Sequence, residues 1–533
     1  MDKKEILDNY FNEYIELSPV LYTFYGFRGK EDIFKNIDDK EIIQYYIKKF
    51  IDTNDKLRTL QRQGDEHNYN IYRLIIEHTR MNIYYYSLPF IYIPFNHKSN
   101  PITTFITMNT DDKTFLETID DYKNYFKRII SFKKYMIYQT NRSIDGLKKG
   151  FSPPKRTVEF MIKQLDNILL NESLKKDVPE SLESEYNKLY SDIIIPTVIY
   201  FREFLQKYLK YCRNTIGIHL VCKYSNIGIK MYKYLIQKHI TIDISPKDIH
   251  KLGLEEVSKI TNNMSRIKDK MGFNSITNNE FYKTKIFKTF NNSDELLSHF
   301  KKLQNDNILV IKKYFYKDIQ KRANIRLIPS HKKLEHIAFY VAPSIEPLRE
   351  GAFYINSNTD LLPICICKSL SLHEDSPGHH FQFQYMKEAN LSNFLIYNKN
   401  TAYVEGWALY VESLGDYNDI ELFGKYMEEK LRAIRLVIDT GIHYYGWSYE
   451  KALEYFSQNS LLPIDKIKKE LERYIAMPAQ ALGYKLGELF FSRKQKEWLA
   501  KGLDIKEYHR IILEGGILSM TDLERNIDSV LNK

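Results

Sequence analysis

The chain has 533 residues, of which 43% are hydrophobic and 27% charged, a balance that excludes a disordered or fibrous protein and predicts a large apolar core. Lys and Arg exceed Asp and Glu by ten, 78 against 68, but no basic tail or arginine-rich block concentrates the excess, so no nucleic-acid partner is expected. The four cysteines, Cys212, Cys222, Cys365 and Cys367, form neither a disulfide framework nor a paired CxxC set and read as reduced core residues.

The opening segment MDKKEILDNYFNEYIEL is charged and amphipathic, without the apolar core of a secretory signal. Later apolar runs, IYIPF near residue 91 and DIIIPTVIYF near 192, are too short to span a membrane. The expectation is a cytoplasmic protein with no membrane partner. Apolar residues recur at three and four positions through most of the chain. The spacing predicts helices over 2–17, 40–62, 67–86, 112–139, 183–213, 246–271, 292–321, 366–388, 401–414, 420–444, 448–458, 464–475 and 478–500. Between 335 and 358, HIAFYVAPSIEPLREGAFYINSNT is rich in β-branched and aromatic residues and predicts a small sheet. Proline- and glycine-rich linkers and repeats are absent, so a single, mainly α domain over 1–533 is expected.

The segment SLHEDSPGHHFQFQ, 371–384, holds three of the fourteen histidines within eight residues. Imidazole is the commonest zinc ligand, and a hydrolytic zinc keeps three protein ligands and a water, with a neighbouring carboxylate as base. His373 is the first candidate ligand and Glu374 the candidate base. In the HExxH pattern the second histidine follows four residues after the first on one helix. Here position 377 is Pro, so that pattern fails. At about 100° per residue His380 lies about 20° from His373 around a helix and His379 about 120° away, although a straight helix would set His380 about 10.5 Å along the axis. Phase favours His380, a kink at Pro377 and Gly378 would shorten the gap, and His379 is the alternative. In TAYVEGWALYVESLGD, Glu405 and Glu412 are seven apart on one helical face. Glu405 suits the third ligand and Glu412 a hydrogen-bonding partner for a ligand histidine.

At these residues the chain resembles the family known as domain of unknown function 885, grouped with zinc metallopeptidases of the gluzincin type. HExxPGHHxQ stands here as His373 to Gln382, and EGWALYVE spans 405–412. DTGIHYYGWS from Asp439 and RYIAMPAQALGYKLGE from Arg473 match further blocks. SPVLYTFYG near the amino terminus and ISPKDIHKLGLEEV at 244–257 extend the likeness nearly end to end. One departure is Ala479, where the family often has Gly. The resemblance implies a helical fold with a deep cleft, similar to helical gluzincin carboxypeptidases, with the catalytic core about 335–500. It also implies a single zinc ion and a sheet edge that binds extended substrate. Tyr354 and Asn356 on the predicted strand are then candidate substrate contacts, and His443 and Tyr484 candidate donors to an oxyanion. Arg473 is placed to pair with a substrate carboxylate or a structural acid.

The expected activity is hydrolysis of a peptide or small amide by a zinc-activated water. Glu374 would take the proton and pass it to the leaving amine, with exopeptidase action of carboxypeptidase or dipeptidase type fitting a narrow cleft. The alternatives are a non-peptide amide hydrolase and a non-catalytic peptide-binding protein on the same scaffold.

Overall fold

The computed structural model describes residues 2–30, 32–34, 39–108, 116–171, 174–273, 284, 287–328, 337–346 and 349–532. Residues 112–115 of one expected helix, and 335–336 and 347–348 of the expected sheet region, lie outside the described residues. The fold is mainly α with one small sheet, as the periodicity implies. Among the described residues, no helix is long and apolar enough to cross a membrane. The chain packs into two compact units, one built chiefly from Met1–Tyr234 and the other from most of the remainder.

The first unit contains helices α1 (Lys3–Glu16), α2 (Asp39–Gln63), α3 (Glu66–Ser87), α4 (Pro101–Met108), α5 (Ile119–Lys148), α6 (Lys155–Leu170) and α7 (Ile195–Tyr208). α1 buries Ile6, Leu7, Tyr10, Phe11 and Ile15, the stripe that its amphipathic sequence promises. α5 starts at a capping box in which Thr118 and Asp121 satisfy each other's backbone N–H groups. The core is aromatic: Phe105 stacks on Phe132 with centroids 4.4 Å apart, and Phe126 on Tyr186.

The second unit carries α8 (Pro246–Lys270), α9 (Ser293–Tyr314), β1 (Asn324–Leu327), β2 (Ala338–Val341) and β3 (Ala352–Ile355). These are followed by α10 (Ile364–Glu374), α11 (His379–Glu388), α12 (Thr401–Glu412), α13 (Asp419–His443), α14 (Tyr449–Asn459), α15 (Ile464–Ala476), α16 (Leu482–Ala500), α17 (Ile505–Gly515) and α18 (Met520–Leu531). The sheet order is β1-β3-β2, with β1 parallel and β2 antiparallel to the central strand. β1, α4, α6, α17 and α18 have no counterpart in the sequence expectations, while β2 and β3 fall inside the expected sheet region.

Two helix pairs set the frame for the site. α12 and α16 touch backbone to backbone: a Cβ on Gly406 would lie 2.4 Å from the Gly487 Cα, and one on Gly487 would lie 2.1 Å from the Ala402 carbonyl oxygen. α8 meets α13 at Gly253, against Leu436 and Val437. From Leu431 to His443 every residue of α13 is buried, including Arg432, Arg435 and Asp439.

Candidate metal centre

α10 carries His373 and Glu374 in its last turn, both buried. The helix stops there. Asp375 takes φ −101° and ψ −111°, Gly378 takes ψ −135°, and helical geometry resumes only at His379. A Cβ on Gly378 would fall 1.9 Å from the His373 carbonyl oxygen, so the loop folds back directly onto the end of α10. The Trp407 indole N–H donates to the Pro377 carbonyl at 3.0 Å, and the buried Asp375 carboxylate accepts from the Gln304 amide at 2.8 Å. Both contacts pin the loop from outside it.

This break reverses the preference between the two histidines. A phase count assumes one continuous helix, and α10 and α11 are separate helices. His379 is the residue turned toward His373, with ring centroids 4.9 Å apart. His380 points away: its Nε2 lies 2.8 Å from the Lys321 carbonyl oxygen and its Nδ1 3.2 Å from the Tyr340 hydroxyl.

Glu405 on α12 completes the cluster. Its Oε2 lies 3.6 Å from His373 Nε2 and 3.4 Å from His379 Nε2, and one donor atom from each of the three residues falls within 4.8 Å of the others. Zinc bonds of about 2.1 Å at tetrahedral angles set ligand atoms about 3.4 Å apart, so this donor set fits the ion. Glu412, two turns along α12, brings Oε1 to 2.8 Å from His373 Nδ1. Burial disfavours the His373 imidazolium, yet hydrogen bonds to Glu405 and Glu412 outweigh it and push the pKa up to about 10. Burial likewise opposes charge on Glu405, but the two histidines hold its carboxyl well below the usual range. The site therefore favours positive charge. The Glu405 side chain keeps 21% exposure, so solvent reaches it. Glu374 is raised by burial, against the lowering pull of His373 and His379.

The other expected site residues are distributed unevenly. Tyr484 is on α16, one turn before Gly487, and the charge of Glu405 adds to the burial that raises its pKa. Arg473 is bound to Glu470 and Gln480. His443 is fully buried with Nε2 2.9 Å from the Tyr474 carbonyl oxygen, tying α13 to α15 and standing outside the His373, His379 and Glu405 group. Tyr354 and Asn356 are buried: Tyr354 stacks on Phe339 in the sheet, and Asn356 accepts from the Asn358 backbone. Tyr354 lies in β3, the central strand, and so not on a sheet edge, while Asn356 follows the end of β3 with its N–H donated to the Ile337 carbonyl. The cysteines are free thiols, with Cys365 and Cys367 buried in α10.

Two contributors escaped the sequence reading. Trp407 anchors the loop, and Arg432 lies close enough to Glu374 to favour its ionised form against the effect of burial. The second had a signal: in LRAIRLVID, two arginines and an aspartate interrupt an otherwise apolar helix at helical spacing.

The molecule is thus a mainly α protein with a cluster of two buried histidines and one partly exposed glutamate. It belongs to the family described as bacterial protein of unknown function (DUF885), whose sequence model matches residues 19–527. No curated protein matches the chain. Among solved structures it is similar to a "putative lipoprotein" from Colwellia psychrerythraea, with 22% identity, a TM-score of 0.87 and full coverage of both chains. It is also similar to a "putative lipoprotein of unknown function" from Shewanella oneidensis, with 15% identity, a TM-score of 0.75 and full coverage of both chains. At these identities the likeness is one of fold.

Proposed function

We propose that this protein is a zinc-dependent hydrolase of peptides or related amides. The observation that carries the reading is the convergence of His373, His379 and Glu405 within 4.8 Å, with the buried Glu374 next in sequence. The gluzincin-like HExxPGHH and EGWALY motifs supply exactly those residue types. When bound, zinc supplies Lewis acidity that acidifies a water and polarises a substrate carbonyl. His373, His379 and Glu405 would hold it, and Glu412 fixes the His373 ring.

Glu374 takes a proton from the attacking water and returns it to the departing amine as the C–N bond breaks. Its carboxyl is raised from the ordinary value by burial and partly restrained by the histidines, which suits a group that must both accept and release a proton. Tyr484, beside Glu405, is the donor we assign to the oxyanion. His443 takes a positioning role, because the Tyr474 carbonyl already occupies its Nε2.

Metal content of the purified protein, measured beside Glu374→Gln, tests this reading. One zinc per chain in both proteins is expected, with peptide turnover only in the native form. No stoichiometric metal, or equal turnover by the variant, sinks the proposal. Running small amides beside the peptide pool separates a non-peptide amide hydrolase from a peptidase.

We propose a cytoplasmic location for the protein. The lipoprotein description belongs to the two solved relatives. Cell fractionation decides, and recovery with the envelope would overturn the placement.

A further inference from the structure

Beyond the metal cluster, the second unit holds a charge imbalance that the proposed reaction leaves unused. The guanidinium carbons of Arg435 and Arg473 lie 4.6 and 5.9 Å from the ring centroid of Tyr484. Both arginines reach the same carboxylate: Glu470 Oε2 is 3.2 Å from Arg435 Nη2 and 3.1 Å from Arg473 Nη2. Arg435 Nε also donates to the Tyr474 hydroxyl at 3.1 Å, and Arg473 Nη1 to Gln480 Oε1 at 2.9 Å. The remaining buried donors, Arg435 Nη1 and Arg473 Nε, meet no acceptor among the described residues. Both guanidiniums thus pair with the same carboxylate and keep unsatisfied N–H donors in a region largely removed from water, where such donors are costly.

The group is still open on one side. Side-chain exposure is 26% for Glu470 and 19% for Arg473, against 8% for Arg435. Its position follows from the helix frame. α12 and α16 meet at Gly406 and Gly487, the first next to Glu405 in sequence and the second one turn past Tyr484. The Glu405 charge acts on Tyr484, and the same tyrosine ring carries both guanidiniums. The Tyr484 ring therefore carries both guanidiniums and feels the charge of the metal donor Glu405.

We propose that Arg435 and Arg473 form the receptor for a carboxylate of the substrate. The site then acts on peptides, or acylated amino acids, that carry a free carboxylate close to the bond being cleaved. A planar guanidinium fork matches a carboxylate in shape and charge, and Glu470 holds the two forks in place while cancelling only one of them. This inference rests on the hydrolase reading and names its substrate class. It also reassigns the lead role from Arg473, which makes more contacts with its neighbours, to Arg435.

The test is a binding measurement on zinc-loaded Glu374→Gln protein, which should bind without turnover. The probes are a pool of tripeptides with free carboxyl termini and the same pool amidated at the carboxyl terminus. Free acids should be retained about tenfold more strongly or better, as expected for charge-assisted hydrogen bonds. Adding Arg435→Gln should erase most of that preference, and Arg435→Lys, which keeps the charge but loses the fork, should fall between. Equal retention of acids and amides by the Glu374→Gln protein overturns the receptor while leaving the hydrolase reading intact. Retention of neither pool overturns both. The acid-to-amide comparison needs no change at Arg435, so it decides the matter even where Arg435→Gln does not fold.

Discussion

Nδ1 of His373 lies 2.8 Å from Oε1 of Glu412, a carboxylate oxygen that accepts the Nδ1 proton, while Nε2 faces Glu405. The contact fixes the ring orientation and, when a metal takes the place of the Nε2 proton, the tautomer. Such partners of metal-bound histidines typically contribute a factor of about 10 to 100 in metal affinity. Glu412→Ala should weaken zinc binding by that factor while leaving the donor set intact. Competition with a chelator of known affinity checks this, and unchanged affinity would remove Glu412 from the site.

The two adjacent histidines make opposite predictions. His379→Ala should abolish stoichiometric zinc, because it deletes one of three donors. His380→Ala should keep the metal and lose stability instead, since the ring is buried between Lys321 and Tyr340 and burial lowers its pKa to about 4. Losing its hydrogen bonds should cost about 1–3 kcal/mol. Metal analysis and chemical denaturation of both variants give the answer. Zinc retained by His379→Ala and lost by His380→Ala would restore the original phase argument.

Gly378→Ala probes the same loop without touching a donor. The new Cβ would meet backbone oxygens of His373 and Leu372 at 1.9 and 2.3 Å, and backbone cannot yield as a side-chain tip can. A loss of about 3 kcal/mol or more is expected, together with reduced zinc content, because His373 and His379 flank the displaced segment. A variant with native melting temperature and full metal would show that the close approach is unimportant.

Most of the helical architecture was legible because amphipathic periodicity survives in long helices: α2, α3, α8 and α13 match their expected spans to within about two residues at each end. β1 is only four residues long and passed below the signal, whereas α6 carries a regular buried stripe at Thr157, Val158, Met161 and Leu165 that was there to be read. Residue types at the site were legible for chemical reasons, since a His-Glu pair, two histidines and a second glutamate block are unusual together. Which histidine faces the cluster was not, because that depends on Trp407 and Gln304 holding a four-residue loop from elsewhere in the chain. Ala479 illustrates a smaller gap. The family's frequent glycine there corresponds to φ +68°, and the alanine N–H is held by both oxygens of Asp439 at 3.1 Å.

The pH dependence of stability should be governed partly by Lys485, which is buried with Glu429 and Glu488 each 2.7 Å away and Glu256 at 3.0 Å. The cluster joins α8, α13 and α16, and Lys425 and Lys259 add their own ion pairs to Glu429 and Glu256. Burial opposes ionisation of Glu429, but Lys425 and Lys485 outweigh it and bring its pKa down to about 2; Glu256 is lowered in the same way, by Lys485 after burial is overcome. A carboxylate whose folded pKa is depressed stabilises the fold fully above its unfolded value near 4.5, and loses that contribution as pH falls toward 2. Lys485→Met leaves the glutamates short of one cation and should cost about 3–5 kcal/mol at pH 7, the usual result of breaking a buried pair from one side. The deficit should shrink on acidification, because protonated glutamates no longer need the lysine. Denaturant titrations of both proteins between pH 7 and pH 3 check the sign: the native and variant stabilities should converge, and a gap that widens toward acid would contradict the assignment.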